Sequence, residues 1–261
     1  MTDAWLESVN RECRSVILEL DVGNSCLKWR LLDDQGRRVD GGRAPHPSPS
    51  TVGRYRPWGA AGQTPLDRVR IGSVASKELN RALVQTLEVD GCGRIEFAAS
   101  GIRCGRLRSG YREPSRLGVD RWLALVAAAE LCDGAYAVAD AGSALTLDLV
   151  AEDGAHEGGW IVPGLRMMRA ALLAGTAGIR IPDTDPEAAA MPGRDTAEAV
   201  GHGSTLMAQD FVARRFDAFR RRCPDAVLFV TGGDGPKIVG LEQPAQVVPE
   251  LVLDGLERVL G

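Results

Sequence analysis

The stretch that decides the fold is residues 135–148, Ala-Tyr-Ala-Val-Ala-Asp-Ala-Gly-Ser-Ala-Leu-Thr-Leu-Asp. An apolar run leads to Asp140 and a tight turn over residues 141–143, and a second alternating strand follows. Glycine lets backbone N–H groups approach an anion closely, and a neighbouring carboxylate can hold a cation. The stretch therefore predicts either a phosphate or cation site at a strand end, or an ordinary β-hairpin with a polar turn.

An earlier stretch repeats this pattern and favours the first interpretation. Residues 15–32 read Ser-Val-Ile-Leu-Glu-Leu-Asp-Val-Gly-Asn-Ser-Cys-Leu-Lys-Trp-Arg-Leu-Leu, so a strand again ends in an aspartate, Asp21, before a turn with glycine and polar residues. Two such strand–turn–strand units predict two similar lobes that face a common cleft. A third glycine-rich turn, at 232–235, follows the apolar run 226–231. Open α/β sheets bind ligands at such strand ends.

Composition and charge narrow the class of protein. The chain has 261 residues, of which 44% are hydrophobic and 25% charged, enough for one large or two small globular domains. A net charge of −4 gives no support for a nucleic-acid surface, and no run approaches the ~18 apolar residues that span a membrane. The first fourteen residues are polar and acidic, unlike a signal peptide, so we expect a cytoplasmic protein.

Cysteine and histidine usage argues against metal or disulfide frameworks. The six cysteines include no Cys-x-x-Cys pair, and no histidine stands at ligand spacing from them. His46, His156 and His202 lie in unrelated contexts. We expect each of them to be a structural or loop histidine.

The periodicity of the chain predicts an alternation of strands and helices. In the first half we expect strands at 15–21, 27–33, 38–43, 67–75 and 94–98, with a helix capped by Ser76 between the last two. The second half predicts helices at 117–131, 164–174, 196–223 and 250–260, with strands around Asp140 and at 156–162 and 226–231. Irregular proline-containing loops are expected at 44–65 and 175–193. The predicted domains are an N-terminal extension (1–14), an N-terminal lobe (15–114) and a C-terminal lobe (115–261).

The motifs select one superfamily. The chain has neither a Gly-x-x-x-x-Gly-Lys-(Ser/Thr) loop nor a Gly-x-Gly-x-x-Gly turn after a strand, which excludes P-loop and Rossmann proteins. The three glycine-rich strand ends resemble those of the acetate and sugar kinase, Hsp70 and actin superfamily. The resemblance implies an α/β fold of two similar ribonuclease H-like lobes, with the nucleotide in the cleft between them.

Within that superfamily the chain resembles the type III pantothenate kinases, including the Bvg accessory factor group. Four motifs carry the resemblance, and they occur in the family's order: Asp-Val-Gly-Asn-Ser-Cys-Leu-Lys (21–28), Gly-Val-Asp-Arg (118–121), Asp-Ala-Gly-Ser-Ala-Leu-Thr (140–146) and Gly-Gly-Trp-Ile-Val-Pro-Gly (158–164). Two hydroxyl residues depart from the family pattern, because Ser25 and Ser143 stand where threonine is usual. Gly158, Gly159, Pro163 and Gly164 are expected to be scaffold, since proline at a helix start and glycines at turns need no ligand.

The resemblance implies where ATP and its cations bind. The residues implied for the nucleotide are Asp21, Val22, Gly23, Asn24, Ser25, Cys26, Leu27, Lys28 and Ser143. Asp21 is expected to hold Mg²⁺ while the turn amides meet the phosphates, and Asp140 to hold a monovalent cation, K⁺ or NH₄⁺. Residues 232–235 fit an adenine-side loop. For Lys28, a solvated position on the strand is the alternative.

The resemblance also implies the substrate site. Asp120 is implied as the general base that takes the hydroxyl proton, with Arg121 as partner for the pantothenate carboxylate. Gly118, Val119, Tyr111 and Thr196 complete the implied set. The alternatives are structural. A carboxylate at a helix start is favoured by the macrodipole, Tyr111 could pack on the long helix, and Thr196 or Asp195 could be a helix cap.

The function that follows is ATP-dependent phosphorylation of pantothenate, the entry step of coenzyme A synthesis. The family resemblance further implies a homodimer whose substrate site is completed across the interface. A non-catalytic regulatory protein is the alternative from another class, although it need not keep Asp120, Arg121 and Asp140 together. A sugar kinase or polyphosphatase on the same fold is a third possibility. A sugar kinase of the repressor-related type would usually carry a zinc-binding cysteine cluster.

Overall fold

The computed structural model describes residues 16–54, 58, 66–176, 178, 191–239 and 245–261. The predicted N-terminal extension lies outside these residues, as does most of the predicted loop at 175–193. The chain divides into two compact units, the first made of Met1–Ser100, Ser115–Ala124 and Val252–Gly261 and the second of Gly101–Pro114 and Leu125–Leu251. This division differs from the predicted boundary after residue 114, because the second unit includes Gly101–Pro114 and the C-terminal helix returns to the first.

The first unit is built on a five-stranded mixed sheet in the order β3-β2-β1-β4-β5. Strands β1, β2 and β3 are antiparallel neighbours, and β4 and β5 continue the sheet in parallel with β1. The elements are β1 (Val16–Val22), β2 (Cys26–Leu32), β3 (Arg38–Pro45), β4 (Leu66–Ser73), α1 (Lys77–Val89) and β5 (Arg94–Phe97). The five predicted strands are confirmed, and the predicted helix lies between the fourth and the fifth, in the order β-β-β-β-α-β.

Local sequence explains these elements. Ser76 caps α1 by accepting a hydrogen bond from the Leu79 N–H at 3.2 Å, as predicted. Leucines four residues apart on α1 are buried, so one face of the helix packs into the core. The turn after β2 closes at Gly36, which has a φ of +73° and whose N–H donates to the Asp33 carbonyl at 3.0 Å. Glycine adopts that φ without steric cost.

A buried cluster of charges crosses this sheet. Glu19 of β1 is fully buried and accepts hydrogen bonds from Arg30 of β2 at 2.6 Å and from Arg70 of β4 at 3.0 Å. Arg30 also donates to Asp254 at 2.6 Å, which ties the C-terminal helix to the sheet. Burial by itself would lower the pKa of Arg30, but the Glu19 and Asp254 carboxylates outweigh burial and the pKa is raised.

The second unit repeats the topology of the first. Its sheet has the order β10-β9-β8-β11-β12, with β8 to β10 antiparallel and β11 and β12 parallel to β8. The strands are β6 (Arg103–Cys104), β7 (Leu107–Arg108), β8 (Tyr136–Ala141), β9 (Ala144–Val150), β10 (His156–Pro163), β11 (Val227–Thr231) and β12 (Ala245–Val247). Because each sheet runs three antiparallel strands and then two parallel ones, the prediction of two similar lobes is confirmed.

The helices of the second half of the chain are α2 (Val119–Leu131), α3 (Leu165–Gly175), α4 (Thr196–Arg220), α5 (Gly235–Ile238) and α6 (Leu251–Leu260). Four of them follow the predicted spans closely, and the short helix α5 was not predicted. Phe216 and Phe219 of α4 pack into the core of the second unit with leucines and alanines of its sheet. In the part of the chain that the structure describes, no helix is both long and apolar enough to cross a membrane.

Candidate active site

The first candidate site lies at the turn between β1 and β2. The Gly23 N–H donates to the Cys26 carbonyl at 3.1 Å and closes a tight turn over residues 23–25. Val22 and Leu27 are each 1% exposed and belong to the core, so only their backbones can face a ligand. The turn therefore offers backbone groups and the polar side chains of its residues to a ligand.

Asp21 and Lys28 are cross-strand partners beside this turn. They stand opposite each other in the β1–β2 register, and the Lys28 ammonium lies 3.7 Å from the Asp21 carboxylate. The Lys28 side chain is only 15% exposed and the Asp21 side chain only 12%. The alternative of a solvated lysine is therefore wrong, and a cation and an anion are held together at the strand end.

The Gly-Val-Asp-Arg motif begins α2. Asp120 lies in the first turn of the helix, where its Oδ1 accepts a hydrogen bond from the Arg121 N–H at 2.8 Å. A Cβ on Gly118 would lie 2.6 Å from that same oxygen, so the glycine leaves the space that the carboxylate occupies. Arg121 is buried, at 6% exposure. The helix start thus holds one carboxylate oxygen of Asp120 in place. This position fits a general base, and it also fits the structural alternative of a carboxylate that the helix dipole favours.

The second unit carries the equivalent turn between β8 and β9. Asp140 lies next to the end of β8, and the Gly142 N–H donates to the Ala144 carbonyl at 3.0 Å. The Ser143 carbonyl accepts a hydrogen bond from the Gly164 N–H at 3.2 Å. A Cβ on Gly164 would lie 2.4 Å from the Gly142 carbonyl oxygen, so this glycine permits the close approach. The scaffold prediction holds for Gly164.

The other motif residues of this region are placed differently from the prediction. Gly158 and Gly159 lie within strand β10 and not at a turn. A Cβ on Gly159 would meet the Leu147 carbonyl of the neighbouring strand at 2.3 Å, so the strands approach closely there. Pro163 ends β10, and Gly164 is the N-cap of α3. Close strand packing thus explains Gly159. Gly158 has a φ of +102° at a shift in the β9–β10 register, a conformation that favours glycine.

The turn after β11 contacts the Asp140 turn. Thr231 is the register partner of Asp140, and the Asp234 N–H donates to the Ala141 carbonyl at 3.0 Å. Gly232 has a φ of +88°, and a Cβ there would lie 2.4 Å from the Asp140 Oδ1. Sequence reasoning assigned Gly232 to an adenine-side loop and missed its approach to Asp140. The signal was its position directly after a buried strand.

Tyr111 and Thr196 occupy different environments in the second unit. The Tyr111 ring stacks on His156, with 6.0 Å between ring centroids and an interplanar angle of 11°. The structural alternative placed Tyr111 against the long helix, whereas this stack is with a residue of strand β10. Thr196 is the exposed first residue of α4, and the cap is Asp195, which accepts from the Glu198 N–H at 2.9 Å. The cap alternative is thus confirmed for Asp195 and wrong for Thr196.

The candidate residues divide between the two units. Asp21, Lys28, Asp120 and Arg121 belong to the first unit, and Tyr111, Asp140, Ser143 and Thr196 belong to the second. Among the described residues, no group of three or more histidine, cysteine, aspartate or glutamate side chains could hold a metal ion. A cation held by the described residues would therefore meet fewer than three such side chains. Mg²⁺ in phosphoryl-transfer sites is commonly held by one or two carboxylates together with substrate phosphates.

Comparison with known proteins identifies the family. A family model described as type III pantothenate kinase matches residues 17–218. A type III pantothenate kinase of Pseudomonas aeruginosa is 40% identical over 245 residues, which cover 92% of this chain and 97% of that protein. The chain belongs to the type III pantothenate kinase family. The match includes every candidate residue from Asp21 to Thr196, whereas Gly232 lies beyond it.

A further relative and two solved structures are also similar to this chain. A type III pantothenate kinase of Chromohalobacter salexigens is 37% identical over 249 residues, with 93% of this chain and 86% of that protein covered. A Sinorhizobium meliloti protein described as a 2-dehydro-3-deoxygalactonokinase superposes with a TM-score of 0.58 at 15% identity, over 94% of this chain and 95% of that one.

A Campylobacter jejuni protein described as a Baf family transcriptional activator gives a TM-score of 0.57 at 19% identity, over 93% and 96% of the two chains. Structural similarity to proteins of such low sequence identity bears on the fold alone. With the repeated sheet order, they confirm the acetate and sugar kinase, Hsp70 and actin fold class.

Proposed function

We propose that this chain transfers the γ-phosphoryl group of ATP to the primary hydroxyl of pantothenate and so forms 4′-phosphopantothenate, the first step of coenzyme A biosynthesis. The observation that carries the proposal is the family membership, since relatives named type III pantothenate kinase are 40% identical over nearly the whole chain. ATP as phosphoryl donor is in keeping with the cytoplasmic location that the sequence predicts.

The nucleotide is proposed to bind at the β1–β2 turn and at Ser143. The backbone of residues 23–25 and the ammonium of Lys28 are suited to phosphate oxygens, because both present donors or positive charge at a strand end. Asp21 is suited to Mg²⁺ and Asp140 to K⁺ or NH₄⁺, since carboxylate oxygens are the ligands that hard cations prefer. When bound, these cations neutralise charge on the phosphates.

The chemistry asked of the protein is a proton transfer and the orientation of the acceptor. The pantothenate hydroxyl oxygen forms a bond to the γ-phosphorus, the bond from that phosphorus to the β–γ bridging oxygen breaks, and ADP leaves. Asp120 takes the hydroxyl proton, and its carboxylate is already held at the helix start by the Arg121 N–H. The Arg121 guanidinium is matched to the carboxylate of pantothenate, with which it can pair through two hydrogen bonds. Gly118, Val119, Tyr111 and Thr196 complete the proposed substrate set.

The proposed oligomer is a homodimer formed through an apolar surface of the second unit. Strand β10 is an edge strand, and α3 packs against both β10 and α4. The exposed apolar side chains on these three elements are Trp160, Ile161, Met167, Leu172, Leu173, Leu206 and Met207. Several exposed apolar side chains on neighbouring elements are typical of protein interfaces. In sedimentation, Ile161→Glu should give monomer, whereas Val89→Glu, in the first unit, should leave a dimer.

The experiment that tests the function is pantothenate-dependent release of ADP from ATP and Mg²⁺, with and without K⁺. The wild type is compared with Asp120→Asn and with Asp225→Asn, a matched control on the exposed surface. Loss of the general base should lower kcat by about 10² to 10⁴-fold, and the control should keep the wild-type rate. Wild-type turnover in Asp120→Asn would remove that residue from the mechanism. Folded protein that binds pantothenate without turnover would instead favour the regulatory hypothesis.

A further inference from the structure

The second unit contains a buried aspartate–histidine pair that the proposed reaction does not use. His156, the first residue of β10, is 3% exposed, and Asp148 of β9 is 2% exposed. The His156 Nε2 lies 2.8 Å from the Asp148 Oδ1. Burying two such polar groups is costly unless they are hydrogen-bonded to each other, so the pair holds the imidazole in one orientation.

The other ring nitrogen of His156 is also engaged. The Gly110 N–H donates to Nδ1 at 3.4 Å, which makes Nδ1 an acceptor. The proton of a neutral imidazole is therefore assigned, from these partners, to Nε2, which donates it to Asp148. The ring connects the Asp148 carboxylate to the backbone of the residue that precedes Tyr111.

Tyr111 stacks on this ring. Its aromatic ring is nearly parallel to the imidazole, at an interplanar angle of 11° and a centroid distance of 6.0 Å. The segment before it is fastened to the loop between β9 and β10, since the Arg108 N–H donates to the Gly154 carbonyl at 2.9 Å and the Arg108 side chain to Asp153 at 2.7 Å. The tyrosine at the end of this segment then meets the His156 ring.

Gly110 makes the close approach possible. A Cβ at this position would lie 1.7 Å from the His156 carbonyl oxygen, so no larger residue fits while the segment keeps its path. Neither the glycine nor the histidine belongs to the four motifs that identify the family. Both residues serve the same contact between residues 108–111 and the start of β10.

We propose that His156, held by Asp148, is a positioning residue that orients Tyr111 toward the pantothenate substrate. The inference rests on the proposed function, in which Tyr111 contacts pantothenate. His156 acts through Tyr111 and touches no reacting atom. Its loss should therefore weaken pantothenate binding and leave the use of ATP and the chemical step unchanged.

The test is a double-mutant cycle between His156→Gln and Tyr111→Ala. Glutamine keeps a donor toward Asp148 but removes the aromatic ring and the ring nitrogen that accepts from the Gly110 N–H. We expect His156→Gln to raise the KM for pantothenate about tenfold, with kcat and the KM for ATP within about twofold of wild type. In the Tyr111→Ala background the same change should have no further effect, because residues that act through one contact are not additive.

Two additional measurements keep the proposal falsifiable. Asp148→Asn retains an oxygen of the same shape for the Nε2 proton, so its KM for pantothenate should lie between those of wild type and His156→Gln. Hydrogen exchange at the Gly110 amide should be faster in His156→Gln, and this needs no substrate. Additive effects in the cycle, or unchanged exchange at Gly110, overturn the positioning role. Absence of pantothenate turnover in the wild type overturns the proposed function instead, and exchange at Gly110 still decides whether His156 orders the segment.

Discussion

Gly118→Ala tests whether the position of the Asp120 carboxylate matters for the rate. The added Cβ would lie 2.6 Å from Oδ1, whereas ordinary contacts begin near 3.4 Å. The carboxylate must therefore move by about 1 Å or lose its hydrogen bond to the Arg121 N–H. A misplacement of this size costs about 10²-fold in rate, or about 2.7 kcal/mol in activation free energy.

The same substitution should leave the fold intact. Gly118 is not among the glycines with positive φ, so its backbone conformation is open to alanine. Its carbonyl accepts a hydrogen bond from Trp122 at 3.0 Å, and alanine keeps that carbonyl. Replacing glycine where the backbone is compatible reduces the entropy of the unfolded chain, which stabilises by about 0.4–1 kcal/mol. The thermal midpoint should therefore not fall.

The assay measures kcat at saturating ATP and pantothenate together with thermal unfolding followed by circular dichroism. Gly134→Ala, beyond the other end of α2, is the matched control, because the nearest atom to its Cβ would be 3.9 Å away. Adding Gly118→Ala to Asp120→Asn should have no further effect on kcat if the glycine acts through the aspartate. Wild-type kcat in Gly118→Ala would refute the reasoning, and so would a rate loss that adds to that of Asp120→Asn.

Two other substitutions test the charge cluster of the first unit and the Asp140 turn. Glu19→Gln should lower the free energy of unfolding, measured in urea, by about 3–5 kcal/mol, because it leaves buried guanidinium groups without their carboxylate. The Asp254 side chain is 42% exposed, so Asp254→Asn should lower it by about 1 kcal/mol or less. Equal costs would contradict the burial argument. Gly232→Ala should raise the K⁺ concentration that gives half-maximal rate, since the added Cβ displaces the Asp140 carboxylate. Because residue 232 has a positive φ, the alanine should also lower the free energy of unfolding by about 1–2 kcal/mol. An unchanged K⁺ dependence would argue against Asp140 as the cation ligand.

Contacts far apart in sequence were beyond the reach of local patterns. The buried partners of Glu19 come from β2 and β4, and in sequence Arg30 and Arg70 are two arginines among many. The second partner of Arg30, Asp254, comes from the C-terminal helix. The domain boundary differed from the prediction for the same reason, because α6 closes the first unit although it ends the chain. His156 was expected to be a structural or loop histidine, and its contacts with Gly110 and Tyr111 were not predicted.

The sequence by itself determined the repeated strand–turn–strand units, the order of the longer helices and strands, and the family. These are local properties: hydrophobic alternation, the capping by Ser76 and the glycine at a turn depend on residues only a few positions apart. Only the tertiary structure decided that Gly232 meets Asp140 and that Gly110 meets His156. These contacts depend on which strands become neighbours in the folded sheet. That pairing is set by burying the apolar faces of the whole unit together, and no single stretch of sequence encodes it.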